Sequence, residues 1–426
     1  MDGTGRRWSL GPAALLAAWG ASRLVLLLFV LGVLVFPGPD VTTDVSVIYR
    51  GWFEVLRHGS FPLDDVSWQY PPAAALAIIA PAALPFLGYA TAFAALALLA
   101  DLAVLCLLLY GGRGPGRPLR GAWFWTVGAA LLGPTLYARY DVMVTAVAVA
   151  ALLAGLRRPR LLGALAGFGA MLKVWPLLLL AGALGRAGRR AWTAAVATVA
   201  AAGSAFALAM PGALSFLTAQ RDRGTEVESL GALVIHVARH FGWSGQVLLN
   251  YGSVEFVGPY AGVLSDASLA LTGVASGWLV LWWLRARRSS PGAATLADAA
   301  FTAVLLFTTT SRVISPQYLV WLVGLGAVCL CFPGSRMRLP ARLVAAASLV
   351  TVLEFPVYFV DVVMSDRLGI ALLVLRNGLL LAASVTAAHG LWRVTVPRPA
   401  APTPAPRSAP DGLSPAGRAD TRATGR

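Results

Sequence analysis

Apolar runs of about 20 residues, the length that a transmembrane helix needs, follow one another through the chain to about residue 393, with short polar stretches between them. This pattern predicts an all-α, polytopic transmembrane helical protein of about 10–12 spans. Two runs depart from it. In residues 71–89, Pro71, Pro72, Pro81 and Pro85 interrupt a helix that is barely long enough to cross, because an internal proline removes a backbone donor and clashes with the preceding turn. This segment is expected to lie along or dip into the outer leaflet. In residues 161–184, Lys173 and Pro176 break an apolar run bounded by arginines at both ends, as in a re-entrant pair of half-helices whose irregular backbone lines a cavity. Full spans are then expected near residues 10–36, 90–111, 121–137, 139–156, 192–211, 264–284, 296–311, 317–333, 342–361 and 368–392. In the first polar loop Asp44, Ile48 and Trp52 recur every four residues, with Val47 and Phe53 slightly offset. That spacing suits an amphipathic juxtamembrane helix over residues 44–57 with Asp44 at its start.

Composition closes off the soluble alternatives. The chain is 58% hydrophobic and only 12% charged, about half the charge of an ordinary soluble domain. Its net charge of +15 comes almost wholly from arginine, since Lys173 is the sole lysine. In a membrane protein such charge reads first as topology and does not point to nucleic acid. The basic clusters at Arg6–Arg7, Arg113–Arg120, Arg157–Arg160, Arg186–Arg190, Arg285–Arg288, Arg336–Arg342 and Arg393 onward are all placed in the cytoplasm if the two broken runs do not cross. A count in which every run crosses puts two of them outside. The expected protein is a multi-pass cell-membrane protein with an uncleaved first span, both termini cytoplasmic, and one membrane domain over residues 1–393. Residues 394–426, rich in Pro, Ala, Arg and Ser, read as a disordered cytoplasmic tail. Cys106, Cys329 and Cys331 lie in apolar runs and suggest neither disulfide nor zinc.

Four polar stretches then face outward: residues 37–70, the Tyr137–Asp141 turn, residues 212–263 and the Ser311–Tyr318 turn. The first concentrates Asp40, Asp44, Glu54, Asp64 and Asp65 beside several aromatics. Asp44 suits either a base held by the helix dipole or a routine cap, and Asp64 and Asp65 suit either a cation or sugar hydroxyls or plain solvation. In the third stretch, Arg223 is suited to clamp a phosphate. His236 and His240 have metal-pair spacing, but the intervening Glu of a zinc motif and a third ligand are missing, so no metal site is expected. Lys173, Arg139, Asp141, Asp101, Glu354 and Arg376 lie at membrane depth and need partners or a wet cavity. Lys173 suits an anionic lipid headgroup or a structural pair with an acid such as Asp101. Thr308 to Ser311, Arg312, Ser315, Gln317 and Tyr318 in TTTSRVISPQYLVWL form a compact polar group, of which Arg312 and Gln317 exceed what capping of the next helix by Pro316 requires.

At these motifs the chain resembles the GT-C membrane glycosyltransferases, and within them glycosyltransferase family 87, the polyprenyl-phosphate-mannose-dependent alpha-mannosyltransferases of bacterial envelopes. The resemblance spans roughly residues 10–392. It rests on DVSVIYRGWFEVLRHGSFP followed by WQYPP, then ARYDVMV, GALAGFGAMLKVWPLLLL, RGTEVESLGAL and SRVISPQYLVWL, in that order. It implies an enzyme whose donor is a polyprenyl-phosphate sugar and whose acceptor is an envelope glycolipid or lipoglycan, with transfer on the outer face by inverting displacement. Asp44 matches the family's first-loop aspartate and is the implied catalytic base; Arg223, Arg312 and Lys173 are the candidates for the donor phosphate. Trp68 and Tyr70 are candidates to stack on the substrate, while Trp52 reads rather as a membrane-belt residue. Glu228, Gln317, Asp40, Asp65, Arg139 and Asp141 complete the expected substrate-binding set. No cofactor is indicated, and a divalent cation is left open. The chain departs from the family pattern in the Val-Ile-Tyr of the first loop and in lacking a histidine in the SRVISPQY turn, for which His58, His236 and His240 are substitutes. A lipid or small-molecule transporter is the alternative from another class, and a non-catalytic assembly partner a third. The enzyme reading makes Asp44 and Arg223 indispensable and lets Asp101 and Glu354 tolerate neutral replacement; a transporter reverses that.

Overall fold

The computed structural model describes residues 11–113, 119–219, 223–287 and 292–396. Arg6, Arg7, Arg221 and residues 397–426 of the expected tail lie outside them. Helix α1 (Pro12–Val30) leads into a π-helical turn at Asp44–Tyr49 continued by α2 (Arg50–Leu56), so the amphipathic segment starts at Asp44 as its spacing predicts. Helix α3 (Ala74–Ile79) and a 3-10 segment to Ala83 form the short, proline-broken element expected in residues 71–89. There follow α4 (Tyr89–Gly111), α5 (Arg120–Ala130) and α6 (Asp141–Gly155). The second broken run is α7 (Pro159–Leu172), an extended Lys173, and a 3-10 segment over Trp175–Gly182.

Beyond it lie α8 (Gly185–Ala209), one turn of helix α9 (Phe216–Ala219), α10 (Ala232–Arg239), α11 (Ala261–Ala286), α12 (Thr295–Thr310) and α13 (Tyr318–Leu330). Helix α14 (Arg338–Val352) ends in a kink at Leu353–Val357 before α15 (Phe359–Met364), so the span expected over 342–361 stops short of its predicted end. Helix α16 (Arg367–Thr395) closes the described chain and runs just past residue 393. Five of these helices, and α14 taken on through its kink to Val357, are long and apolar enough to cross a membrane.

The re-entrant expectation for 161–184 can be read from packing. Gly163 lies against the Ala191 carbonyl and Gly167 against Ala195, so α7 and α8 run parallel, and the 3-10 segment between them has to return the chain to its starting end. Gly155, where α6 ends, and Gly182, where the return ends, both pack on Leu296. Lys173 is therefore the tip of a hairpin whose two feet share one end of the bundle. Small residues at that spacing let the helix backbones approach closely. The described arginine clusters gather at the end where the hairpin's feet lie, and Asp44, the Tyr137–Asp141 turn and the Ser311–Tyr318 turn gather at the other.

Helix α13 is apolar all round and buried from Leu319 to Cys329, as such a helix must be. Helices α8 and α11 stand at the periphery with few buried residues. Deep in the bundle Arg23 pairs with Asp101 at 2.8 Å, and Trp125 Nε1 and Tyr137 Oη donate to the same carboxylate at 2.7 and 2.6 Å. Lys173 thus has a different acid from the one its sequence context suggested. Arg376 donates to both Glu354 oxygens at 2.8 and 2.7 Å. Neutralising Asp101 or Glu354 would strand a fully buried guanidinium, which costs about 3–5 kcal/mol, so the tolerance expected of both positions is withdrawn.

One element departs from the all-α expectation. β1 (Thr225–Glu226), β2 (Gln246–Asn250) and β3 (Ser253–Val257) form a small antiparallel sheet in the order β1-β3-β2. Tyr251 and Gly252, both at positive φ, make the two-residue turn of the β2–β3 hairpin, a backbone twist that matches the twist of the strands.

Candidate active site

The Asp44 end of the bundle holds a cavity of about 430 Å³, walled by the first loop, the Lys173 hairpin tip, the β-sheet and the Ser311–Tyr318 turn. Asp44, Tyr70, Lys173, Arg223, Arg312 and Gln317, all picked out from the sequence, line it. Part of the remaining wall is apolar: Phe216, Leu217, Leu269 and Phe307 come from α9, α11 and α12. A cavity with convergent charges at one end and an apolar flank suits an amphiphile.

The charges are held by pairing from behind. Arg139 forms a salt bridge to Asp44 Oδ2 and also donates to the Ala138 carbonyl at 2.9 Å. Two residues on in the same turn, Asp141 Oδ1 accepts from Lys173 Nζ at 2.7 Å and from Trp321 Nε1 at 2.6 Å. The Lys173 ammonium also sits between 5.1 and 5.8 Å from the ring centroids of Tyr70, Tyr140, Tyr318 and Trp321, a cage that favours a cation. Arg223 is anchored by Glu255 at 3.0 Å, by Gln69 Oε1 at 3.1 Å and by Ser253 Oγ at 2.7 Å. Burial disfavours its charge, but Glu226, Tyr318 and Glu255 outweigh that and raise its pKa. Arg312 reaches the Arg223 carbonyl at 2.8 Å and Ser265 Oγ at 3.1 Å. Asp44, Lys173, Arg223 and Arg312 therefore all present charge to one cavity, with Arg312 bonded to the backbone of Arg223.

The turn that carries Arg312, Ser315 and Gln317 is clamped from the outer loop. Glu226 accepts from the Ile314 amide at 2.6 Å and from Ser315 Oγ at 2.8 Å, while its own amide donates to the Arg312 carbonyl at 3.2 Å. Arg376 donates to the Ile314 carbonyl at 3.1 Å and to the Glu228 carbonyl at 3.1 Å. Glu228 is buried beside Arg376 and Glu354, and burial followed by the Glu354 charge pushes its pKa well up. Two buried polar atoms of the cavity lining, Tyr49 Oη and Trp175 Nε1, have no protein partner.

The family model for glycosyltransferase family 87 matches residues 68–316, more than half of the chain. The chain belongs to glycosyltransferase family 87. It is a multi-pass membrane glycosyltransferase, and the transporter alternative falls with that. The matched stretch of this family 87 protein contains Tyr70, Lys173, Arg223 and Arg312; Asp44 precedes it and joins the cavity by geometry. Two crystal structures of ArnT from Cupriavidus metallidurans, one bound to undecaprenyl phosphate and one in the apo state, are similar at 15% and 16% identity with TM-scores of 0.44 and 0.46, over 90% of this chain and 78% of theirs. No curated protein matches.

Several expected site residues of the family 87 chain stand behind the cavity rather than on its wall. Arg139 and Asp141 hold Asp44 and Lys173. Asp65 accepts from Trp52 Nε1 at 2.7 Å; burial opposes its ionisation, but hydrogen bonds from Ser67 and Trp52 lower its pKa. Trp68 is buried edge-on against Trp52, and it is Trp52, read from sequence as a belt residue, that lines the cavity. Asp40 caps its own turn at Thr42, and Glu228 belongs to the Arg376 cluster. His236 bonds Ser365 Oγ and the Val227 carbonyl at 2.7 and 2.8 Å, and His240 bonds the Ser365 carbonyl. These two are structural, and neither replaces the histidine missing from the turn; His58 lies off the lining, beside Arg57. Among the described residues no group of three or more His, Cys, Asp or Glu is placed to hold a metal ion. The sequence reading missed Gln69, Trp175, Glu255 and Trp321. A Tyr-Gly turn between alternating strands was the available signal for Glu255, and the others lie inside the motifs WQYPP, GALAGFGAMLKVWPLLLL and SRVISPQYLVWL.

Proposed function

We propose that the protein transfers a hexose, mannose by family resemblance, from a polyprenyl-phosphate donor to an envelope glycolipid or lipoglycan on the outer face of the cell membrane, with inversion. The observation that carries this reading is one cavity that joins a carboxylate with a free oxygen, three cations and an apolar flank. Asp44 Oδ1 takes the proton of the acceptor hydroxyl as that oxygen bonds to the anomeric carbon. The bond from that carbon to the phosphate oxygen breaks, and the electron pair leaves on the polyprenyl phosphate. Lys173, Arg223 and Arg312 stabilise the charge that grows there. Tyr70 supports sugar binding as a neutral donor, since burial and the Asp141 charge push its hydroxyl up to about 12. Tyr49 and Trp175 offer their unpartnered groups to the substrate, because a buried donor without a partner costs about 1–3 kcal/mol until a ligand satisfies it. The prenyl chain leaves past Phe216, Leu217 and Leu269, between peripheral helices α8 and α11.

The test is transfer of labelled mannose from polyprenyl-phosphate mannose to a membrane lipid extract by reconstituted protein, wild type against Asp44→Asn. Transfer by the wild type, lost in the variant, is the expected result. Equal transfer by the variant would remove Asp44 as base, and transfer only from another sugar donor would remove mannose.

A further inference from the structure

A second cavity of about 340 Å³ opens at the same end of the bundle, between the end of α1, the Gly38–Thr42 stretch, Pro134 and Pro356. We propose that it is the acceptor site, taking the headgroup and first chain atoms of a glycosylated amphiphile. This rests on the reading of the Asp44 cavity as the transfer site.

The first argument is stereochemical. Direct displacement needs the acceptor oxygen to approach the anomeric carbon from the side opposite the leaving phosphate. The base that takes the acceptor's proton stands on that side, so the acceptor has to arrive past Asp44. The second cavity lies there. Val41 and Thr42 line it, and the Thr42 carbonyl accepts the Val45 and Ser46 amides at 3.0 and 2.9 Å in the turn that carries Asp44. Arg139 reaches the Val41 carbonyl at 3.4 Å with the guanidinium that pairs with Asp44. One stretch of backbone and one arginine therefore separate the second cavity from the base.

The second argument is chemical. The polar end of this cavity is Asp40 and Thr42, whose Oγ1 donates to the Asp40 carboxylate at 2.8 Å, a group suited to sugar hydroxyls. The other end is an irregular, apolar lip in which Leu31, Leu34 and Val35 are 51%, 41% and 83% exposed. Exposed apolar side chains on non-helical backbone beside a membrane-spanning helix sit in the interface, where an amphiphile's chain enters. The two lipids then meet at Asp44 from different flanks, the donor from α8 and α11 and the acceptor from α1. Asp40, absent from the first cavity, acquires a role.

The experiment uses the full chain in nanodiscs and a dodecyl hexoside carrying a photoreactive group next to the sugar, with labelled peptides mapped by mass spectrometry. Labelling is expected within residues 29–42, is expected to survive excess undecaprenyl phosphate, and is expected to fall at least tenfold in Leu34→Trp and in Val35→Trp. The second variant alters a surface side chain and leaves the fold intact. Labelling elsewhere or nowhere, displacement by undecaprenyl phosphate, indifference to both variants, or equal labelling by a sugar-free dodecyl probe each overturns the proposal; the last would make the lip a bulk-lipid contact. Failure of undecaprenyl phosphate to bind the wild type would sink the donor reading alone, since the map of the hexoside label decides this one.

Discussion

Two ion pairs anchored on one turn are built alike and present opposite charges to the cavity. Arg139 stands behind Asp44 and Asp141 stands behind Lys173, so a single Ala-Arg-Tyr-Asp turn fixes a carboxylate on one side and an ammonium beside it. They differ in burial. The side chain of Asp141 is 1% exposed and that of Lys173 12%, whereas Arg139 and Asp44 keep 15% and 29%. The Asp44 pair is wetter and leaves one carboxylate oxygen unpaired, while the Lys173 pair is caged by aromatic rings. On the proposed function, the same local motif supplies a reactive group and an electrostatic one, according to how much water each retains.

The largest effect expected is on the wetter pair. Asp44→Asn should lower the transfer rate by about 10²–10⁴-fold, the usual worth of a general base, with undecaprenyl phosphate binding retained; loss of binding instead would make Asp44 an electrostatic element like Lys173. The buried pair should respond in stability. Asp141→Asn leaves Lys173 without its counter-charge and should cost about 3–5 kcal/mol in denaturant unfolding, whereas a double replacement by Leu and Met recovers most of that stability without recovering donor binding. If the double variant binds donor normally, Lys173 is structural only.

The third effect concerns the clamp on the other wall. Glu226→Gln keeps one acceptor for the Ile314 amide but weakens a charge-assisted bond, worth about 1.5–3 kcal/mol, and should raise KM for donor by about tenfold through the Arg312 turn, which a donor titration would show. The smallest effect is on pH. Burial lowers the His236 pKa to about 4, below its usual 6.5, so the folded state holds the ring neutral. Its contribution to stability is full above about pH 6.5 and is lost as pH falls toward 4, at up to 1.36 kcal/mol per unit. His236→Gln should flatten the thermal-stability profile across that window.

Much of this was legible in the chain. Prolines at 71–85 and the Lys173-Pro176 break foretold the two interrupted elements because helix breakers act locally. Asp44, Arg223, Arg312, Lys173, Tyr70 and Gln317 were legible because charged or polar groups at the ends of apolar runs need a reason to be there. The β-sheet was not read, since five-residue strands carry a weak period and helix was the prevailing pattern. Which residues stand in front and which behind was not readable either: Trp52 and Trp68 share a composition and a loop, yet Trp52 lines the cavity and Trp68 supports it.

The sequence alone determined the membrane-helical class, the breaks in it, and the set of polar residues gathered at one end, because hydropathy, proline geometry and charge cost act over a few residues. Only the tertiary structure decided the partners. Asp141 rather than Asp101 meets Lys173, Glu255 meets Arg223, and Glu226 meets the Arg312 turn, because each pairing joins segments at least 30 residues apart in the chain. Their proximity is set by helix packing, which no local pattern encodes.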